Sequence, residues 1–293
     1  MKITNKYDLP DYVYAYLAHD DYDYESNTIT ATGLMQPIQM YALKKRYAHK
    51  LEIDASDLIA SRYGTAIHDS IEKVQLPYCK QEQRLRTIIK GIKVTGKFDI
   101  LRWNEKTKEH ELIDVKSTSV WSWVYGGKEK DYQTQLSIYR WLAYRNGTFV
   151  SEKAKIWMFF TDWNRSKSTE FDYPTLRTAI KPVKLWDIQD TEAWVYKRIE
   201  DFLLAEKTKL NLLPRCTDEE LWRPSPTFKV MKKNRKSAIR NFNNLEDAEE
   251  HKAKHKDSFI VSVPSKAKRC IYCVCRPVCL QYKEMLSNDE VEE

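Results

Sequence analysis

Apolar and polar positions alternate most regularly between Val94 and Thr118. There, two strand-like runs flank the polar turn Asn104–Lys108 and predict an antiparallel hairpin. Gln81–Val94 reads as a strand leading into it. Upstream, Ile59, Tyr63, Ile67 and Ile71 recur at helical spacing. They predict a helix with a buried stripe, capped by Asp54 or Ser56, running to about Val74 and ended by Pro77. Downstream the pattern predicts a helix over Lys128–Arg145, strands over Glu152–Phe160 and Val183–Ile188, and an amphipathic helix over Thr191–Leu210 carrying Trp194, Ile199, Phe202 and Leu203. Past Pro214 the composition shifts, with a basic strand-like stretch Thr227–Arg240, a polar helix Asn244–Lys256 and a strand Phe259–Val263. The first fifty residues read as an irregular lead-in with a short helix near Gln36–Arg46. Their acids Asp20, Asp21, Asp23 and Glu25 are expected to form a solvated surface. These elements predict an α/β fold: a lead-in at 1–50, a core at 51–213 and an appendage at 214–293.

The 293 residues suffice for a full hydrophobic core. Charged residues make up 31% and mean hydropathy is −0.65, and no apolar run reaches the ~20 residues of a membrane span. The start has no apolar signal-peptide core, so the six cysteines are expected in a reducing, cytoplasmic setting where clustered thiols favour metal over disulfides. A net charge of +7 favours a polyanionic partner. Seven glycines and no G-x-x-x-x-G-K-S/T string argue against nucleotide hydrolysis.

The candidate chemistry lies in the hairpin. Asp99 and Asp114 interrupt its two apolar runs, and Lys116 shares a face with Asp114. Two carboxylates and an ammonium at a sheet edge need pairing, which an oxygen-liganded divalent cation would provide, with the lysine beside the attacking water. On the preceding helix His68 and Glu72 are four apart, a pair that is by itself more often a surface hydrogen bond than a site.

Taken together, Gly64-x-x-x-His68, Gly96-x-x-Asp99, Asp114-x-Lys116 and Gln135-x-x-x-Tyr139 resemble the PD-(D/E)XK nuclease superfamily, closest to its RecB-like exonuclease branch, over roughly residues 30–210. The Cys216–Trp222 segment and the final cysteine-rich stretch resemble RecB-type proteins encoded by bacteriophages. The resemblance implies a mixed central sheet flanked by helices, and a Mg²⁺- or Mn²⁺-dependent DNA exonuclease of phage or bacterial recombination, repair or replication. It implies Asp99, Asp114, the Val115 backbone carbonyl and His68 as metal ligands, and Lys116 as the group that orients or deprotonates water. Gln135 would brace that lysine or contact DNA, Tyr139 would line the strand's path, and Glu72 and Glu82 would be structural supports. DNA, single-stranded or at duplex ends, is the implied partner, with a helicase or recombination protein beside it and no membrane. A catalytically silent nucleic-acid-binding protein or an interaction scaffold of the same fold are the rival readings.

Two departures stand out. Phe98, not proline, precedes Asp99, and the neighbourhood where iron–sulfur relatives place a Cys-Pro pair reads Gln36-Pro37. Cys270-x2-Cys273-x5-Cys279 nevertheless matches the C-terminal spacing of those relatives, and Cys216 can supply a fourth thiolate for a 4Fe-4S cluster or for Zn²⁺. Cys275 is expected to point away and Cys79 to be an ordinary half-buried thiol. Trp121, Trp123 and Tyr125 follow the catalytic strand and either stack on bases or tuck into the core. Lys232, Lys233, Arg235 and Lys236, with Arg240, either track a phosphate backbone or decorate a solvated hairpin.

Overall fold

The computed structural model describes residues 1–20 and 25–291. Most of the acidic stretch (residues 21–24) lies outside the described residues. Its neighbour Glu25, expected to be solvated, instead pairs with Arg86 at 2.9 Å and with Lys93. The chain forms two compact units, one of residues 2–36 and 52–204, the other of Met1, Pro37–Leu51 and Ala205–Glu293.

In the first unit, the short strands β1 (Lys2–Thr4) and β3 (Glu52–Asp54) pair in parallel. The main sheet holds β2 (Thr28–Thr30), β4 (Cys79–Ile89), β5 (Ile92–Asn104), β6 (Glu109–Thr118), β7 (Lys153–Phe160) and β8 (Thr178–Lys184). It runs β2-β5-β6-β7-β8, with β4 also on β5; the β2–β5 and β6–β7 pairs are parallel and the rest antiparallel. The β5–β6 hairpin forms as the alternation predicts. The strand expected over Gln81–Val94 does not run straight through: it folds back at Lys90–Gly91, both at positive φ, so β4 and β5 are themselves a hairpin. A two-residue turn with both residues left-handed matches the strand twist. β8 likewise starts earlier than the expected 183–188.

On its side opposite β4, β5 is shared. Thr95 is the last residue paired with β2 (Thr30), and Ile100 is the first paired with β6 (Ile113). Residues 96–99 thus face an opening between two neighbours, and Asp99 stands in it.

The helix Glu129–Arg145 packs on β4, β5, β6 and β8, burying Leu136, Ile138, Trp141 and Leu142. Acids in its first turn and Arg145 in its last suit the helix dipole, and Gly147 at φ +77 follows its end. The helix Ile188–Lys207 buries Val195, Ile199 and Phe202. The histidine helix, Ile59–Glu72, departs from expectation: it buries no residue, and Ile59 and Tyr63 are exposed. It touches β6, and Gly64 lies close enough to Ser117 that a Cβ there would meet its hydroxyl at 3.5 Å. The approach is through that small residue and the half-buried Ile67, His68 and Ile71, not through the whole stripe.

The second unit contains the helix Ile38–Tyr47 and an antiparallel sheet β10-β9-β11 (Arg240–Phe242, Thr227–Lys232, Ser258–Val263) with the helix Leu245–Ala253. One core cluster joins Ala42, Leu43 and Leu51 to Ala205, Leu213 and Cys275; another joins Leu221, Ala267, Cys270, Met285 and Val291. The Arg46 guanidinium donates to the carbonyls of Ala205, Glu206 and Thr208, satisfying a helix C-terminus. Among the described residues, no helix is long and apolar enough to cross a membrane.

Candidate active site

Strand pairing lines up carboxylates across three strands. Gln81 pairs with Ile100 and Gln83 with Phe98, which sets Glu82 opposite Asp99. On the other side Asp114 stands one step beyond the last β5–β6 pair, Ile100 with Ile113. Asp99 and Asp114 are both buried, and the Glu82 side chain is 7% exposed. Like charges facing each other across strands repel, so each needs a partner.

The partners come from neighbouring elements. The Val115 amide donates to Asp99 Oδ2 at 2.6 Å. From the adjoining helix, Gln135 Nε2 donates to Asp114 Oδ1 at 3.2 Å and to the Tyr139 hydroxyl at 3.0 Å, while Gln135 Oε1 accepts from Lys116 Nζ at 3.1 Å. Lys116 Nζ also lies 2.8 Å from Asp114 Oδ2. That contact is an ion pair without hydrogen-bond geometry, so among the described residues Asp114 Oδ2 is buried with no hydrogen-bond donor. His68 Nδ1 is 3.1 Å from Glu82 Oε1 and 3.5 Å from Asp99 Oδ1, and Lys97 Nζ is 2.6 Å from Glu82 Oε2.

Burial pushes the Asp99 carboxyl up to about 7, reinforced by the neighbouring Asp114 charge. The Glu82 hydrogen bond raises His68, with further help from Asp99. Burial alone would raise Glu82, but the bonds from His68 and Lys97 outweigh it and hold the carboxyl below its ordinary value. Burial raises the Tyr139 phenol, which is bonded to Gln135, and the side chain lines a cleft with Thr95, Gly96 and Lys97.

The oxygen-rich donor set and the buried oxygen of Asp114 without a donor fit a hard divalent cation. One ligand atom each from His68, Glu82 and Asp99 lies within 4.8 Å of the others. Among the described residues this is the set so grouped; Asp114 is engaged by Lys116 and Gln135 instead. Glu72, on the same helix as His68, is exposed. The residue that the sequence motifs passed over as structural is Glu82, together with its partner Lys97. The signal for it was the Lys90–Gly91 turn: once the chain folds there, counting back along the strands puts Glu82 beside Asp99.

Of the aromatics after β6, Trp121 and Tyr125 are exposed and stack on each other with centroids 5.5 Å apart and planes at 14°. Lys167 Nζ lies 5.3 Å from the centre of the Trp121 ring. Trp123 turns its edge to Phe160. Lys232, Lys233, Arg235 and Lys236, at the end of β9 and in the turn after it, are exposed.

In the second unit Cys216, Cys270, Cys273, Cys275 and Cys279 line one cavity with Gln39, Met40, Leu43 and Gln281. Cys216 is held by a single side chain: Gln281 Oε1 accepts from its amide at 2.8 Å and Gln281 Nε2 donates to its carbonyl at 2.9 Å. Buried Gln39 places Oε1 3.5 Å from Cys216 Sγ and 3.7 Å from Cys279 Sγ. Burial pushes the Cys216 thiol up to about 12 and Cys270 up to about 11, while a hydrogen bond from Cys275 brings Cys273 down to about 6. Cys275, expected to point away, is fully buried and lines the cavity, its thiol facing the Met40 carbonyl at 3.8 Å. Cys79 is half-buried, as expected.

No curated protein matches the chain. Among solved structures it is similar to SSO0001, at 18% identity over 66% of this chain and 81% of that one with a TM-score of 0.44. It is also similar to a phage-related exonuclease from Haemophilus somnus 129PT, at 13% identity over 62% and 96% with a TM-score of 0.38. A third is an alkaline exonuclease, LHK-Exo, from Laribacter hongkongensis, at 11% identity over 62% and 90% with a TM-score of 0.33. The family profile that matches, over residues 70–280, is that of the PD-(D/E)XK nuclease superfamily.

Proposed function

Since the chain belongs to the PD-(D/E)XK nuclease superfamily, we propose that it is a divalent-metal-dependent DNA exonuclease of the RecB-like kind. It would hydrolyse phosphodiester bonds during recombination, repair or replication in the cytoplasm of a bacterial or phage-infected cell, with a helicase or recombination protein supplying opened strands. The observation that carries this reading is the Asp114 carboxylate, buried beside Asp99 and spanned by Lys116 and Gln135.

Asp99, Asp114, the Val115 carbonyl and His68 would hold Mg²⁺ or Mn²⁺, which supplies Lewis-acid polarisation of the scissile phosphate. Lys116 sets its ammonium against Asp114. Its remaining N–H groups can orient a water or donate to a phosphate oxygen as charge builds in the transition state. Gln135 fixes that ammonium by bonding Lys116, Asp114 and Tyr139 at once, so the lysine is positioned before substrate arrives. Trp121 and Tyr125 offer an exposed ring platform for bases, and Lys232, Lys233, Arg235 and Lys236 offer charge for the phosphate backbone.

Cys216, Cys270, Cys273 and Cys279 would bind a structural 4Fe-4S cluster, with Zn²⁺ the alternative. Among the described residues no three thiols come within 4.8 Å of one another. One tetrahedral ion with Zn–S of about 2.3 Å would demand closer sulfurs, whereas a cluster spreads its thiolates over separate irons. A brown protein containing iron after anaerobic purification supports the cluster; colourless protein with zinc favours the alternative.

The central test is digestion of labelled single- and double-stranded DNA with Mg²⁺ or Mn²⁺. Asp114→Ala and Lys116→Ala should each lose at least about a hundredfold in rate while keeping the parent's circular dichroism. Undiminished cleavage by either variant refutes the assignment.

A further inference from the structure

Residues 224–268 hold most of the chain's charge imbalance. They carry eleven lysines and arginines against five acids, six of the seven net positive charges of the whole protein. The fold sorts these charges. Four of the acids, Glu246, Asp247, Glu249 and Glu250, lie on the helix Leu245–Ala253. That helix packs on one face of the β10-β9-β11 sheet, where Ala248 and Val230 are fully buried and His251 meets the Phe242 ring with centroids 5.1 Å apart. Residues opposite one another in the register share a face. The other face therefore sets Met231 opposite Phe259, and Lys229 between Asn241 and Val261. Phe259 is 45% exposed and Val261 38%. An open sheet face is ordinarily polar; here a ring and an isopropyl group stand on it beside an ammonium. At the Thr227–Val263 end the face runs into a cleft of about 440 Å³, lined also by Ser225, Asn243, Lys266 and Lys268. At the Met231 end the exposed basic run 232–236 continues the charge.

We infer that this face of the small sheet binds single-stranded DNA, with bases laid on Phe259 and Val261 and phosphates drawn to Lys229 and the cleft lysines. The inference rests on the nuclease reading for the choice of DNA. It adds a second grip on the strand, built within the unit that lacks the catalytic carboxylates. The charge favours a polyanion, and the exposed ring selects a single strand. A duplex hides its base faces in the stack and offers phosphates and groove edges, whereas an unpaired base lies flat on a ring. A protein docking through apolar surface would instead bury Lys229 beside Asn241 and Val261 with no acid to pair it.

The test measures fluorescence anisotropy of a labelled oligothymidylate on the full chain in EDTA, so that no cleavage intervenes. The parent should bind. Phe259→Ala should weaken that binding about tenfold and Phe259→Trp should restore it, with binding of a blunt duplex of equal length unchanged. Lys229→Gln should lower the slope of log Kd against log salt by about 0.7, one phosphate contact on a single strand. Without any variant, the parent photo-crosslinked to an iodouracil-substituted strand should yield labelled peptides from residues 224–268. A folded Phe259→Ala that binds the strand as tightly as the parent overturns the inference, as does an equal loss on the duplex. Cross-links that all fall outside 224–268 overturn it whether or not the variants fold. If such a parent still digests DNA with Mg²⁺, the nuclease reading stands; a parent that neither binds the strand nor digests DNA overturns both.

Discussion

Asp54 ties together pieces of chain nearly fifty residues apart. One oxygen accepts from the Lys6 amide at 2.8 Å and the Thr4 hydroxyl at 3.0 Å; the other accepts from the Ser56 amide and hydroxyl, capping the turn before the histidine helix. These bonds, the Lys6 amide foremost, bring its carboxyl down to about 2. A depressed carboxylate stabilises the fold above the unfolded value near 3.8, and that contribution is lost as pH falls through about 2. Asp54→Asn should therefore melt below the parent at pH 5, and the two melting temperatures should converge between pH 4 and pH 2. A constant gap over that window would show that the charge plays no part. A cap at Asp54 or Ser56 was legible from their place before an apolar periodicity, and Asp54 is the one that accepts, from the Ser56 amide. Its bonds to Lys6 and Thr4 were not, because a three-residue parallel pairing leaves no pattern of its own.

At the scale of elements, the site depends on how closely the helix Glu129–Arg145 meets β5. A Cβ at Gly96 would stand 2.7 Å from Leu142 and 2.9 Å from the Tyr139 ring. That ring is buried and anchored through Gln135, so it has little room to retreat. Gly96→Ala should cost about 1–3 kcal/mol in urea unfolding and should loosen the Gln135 brace; a neutral substitution would mean that the helix shifts freely. The hairpin, this helix and the order of the motif acids were readable because alternation, helical spacing and two D-containing strings all survive in one short stretch. Two things were not. The apolar stripe Ile59, Tyr63, Ile67, Ile71 announced a helix face but not what covers it, and the outer half is exposed. The Lys90–Gly91 turn interrupts a run whose residues are strand formers on both sides, so periodicity passed through it and hid the Glu82–Asp99 alignment.

At the scale of the molecule, the unit holding the thiol cavity is assembled from separated chain segments. Its core places Ala42, Leu43 and Leu51 against Ala205, Leu213 and Cys275, with Cys273, Val278 and Cys279 packed beside them. Composition suggested an appendage starting at residue 214, because the shift there is sharp; it carried no sign that the helix Ile38–Tyr47 belongs with it. A chain cut after residue 213 should therefore expose the apolar side of that helix, bind a hydrophobic dye and aggregate. A soluble, monomeric fragment with no dye binding would contradict this core. Across the whole chain the motifs disclosed the family, whereas the partners of the cysteines, above all the glutamine clamp on Cys216, needed the folded chain because they bridge 65 residues.

The left-handed backbone of Glu82, at φ +50 within β4, reverses a familiar ranking. In most strands alanine is the better replacement and glycine the worse. At φ +50 the methyl group of alanine collides with its own backbone while glycine does not. Both substitutions delete the carboxylate equally, yet without divalent ions Glu82→Gly should outlast Glu82→Ala in urea by about 1 kcal/mol. The inverted order would mean that the chain carries a permanent conformational tension at this one position, kept because relaxing it would turn the acid away from its imidazole neighbour.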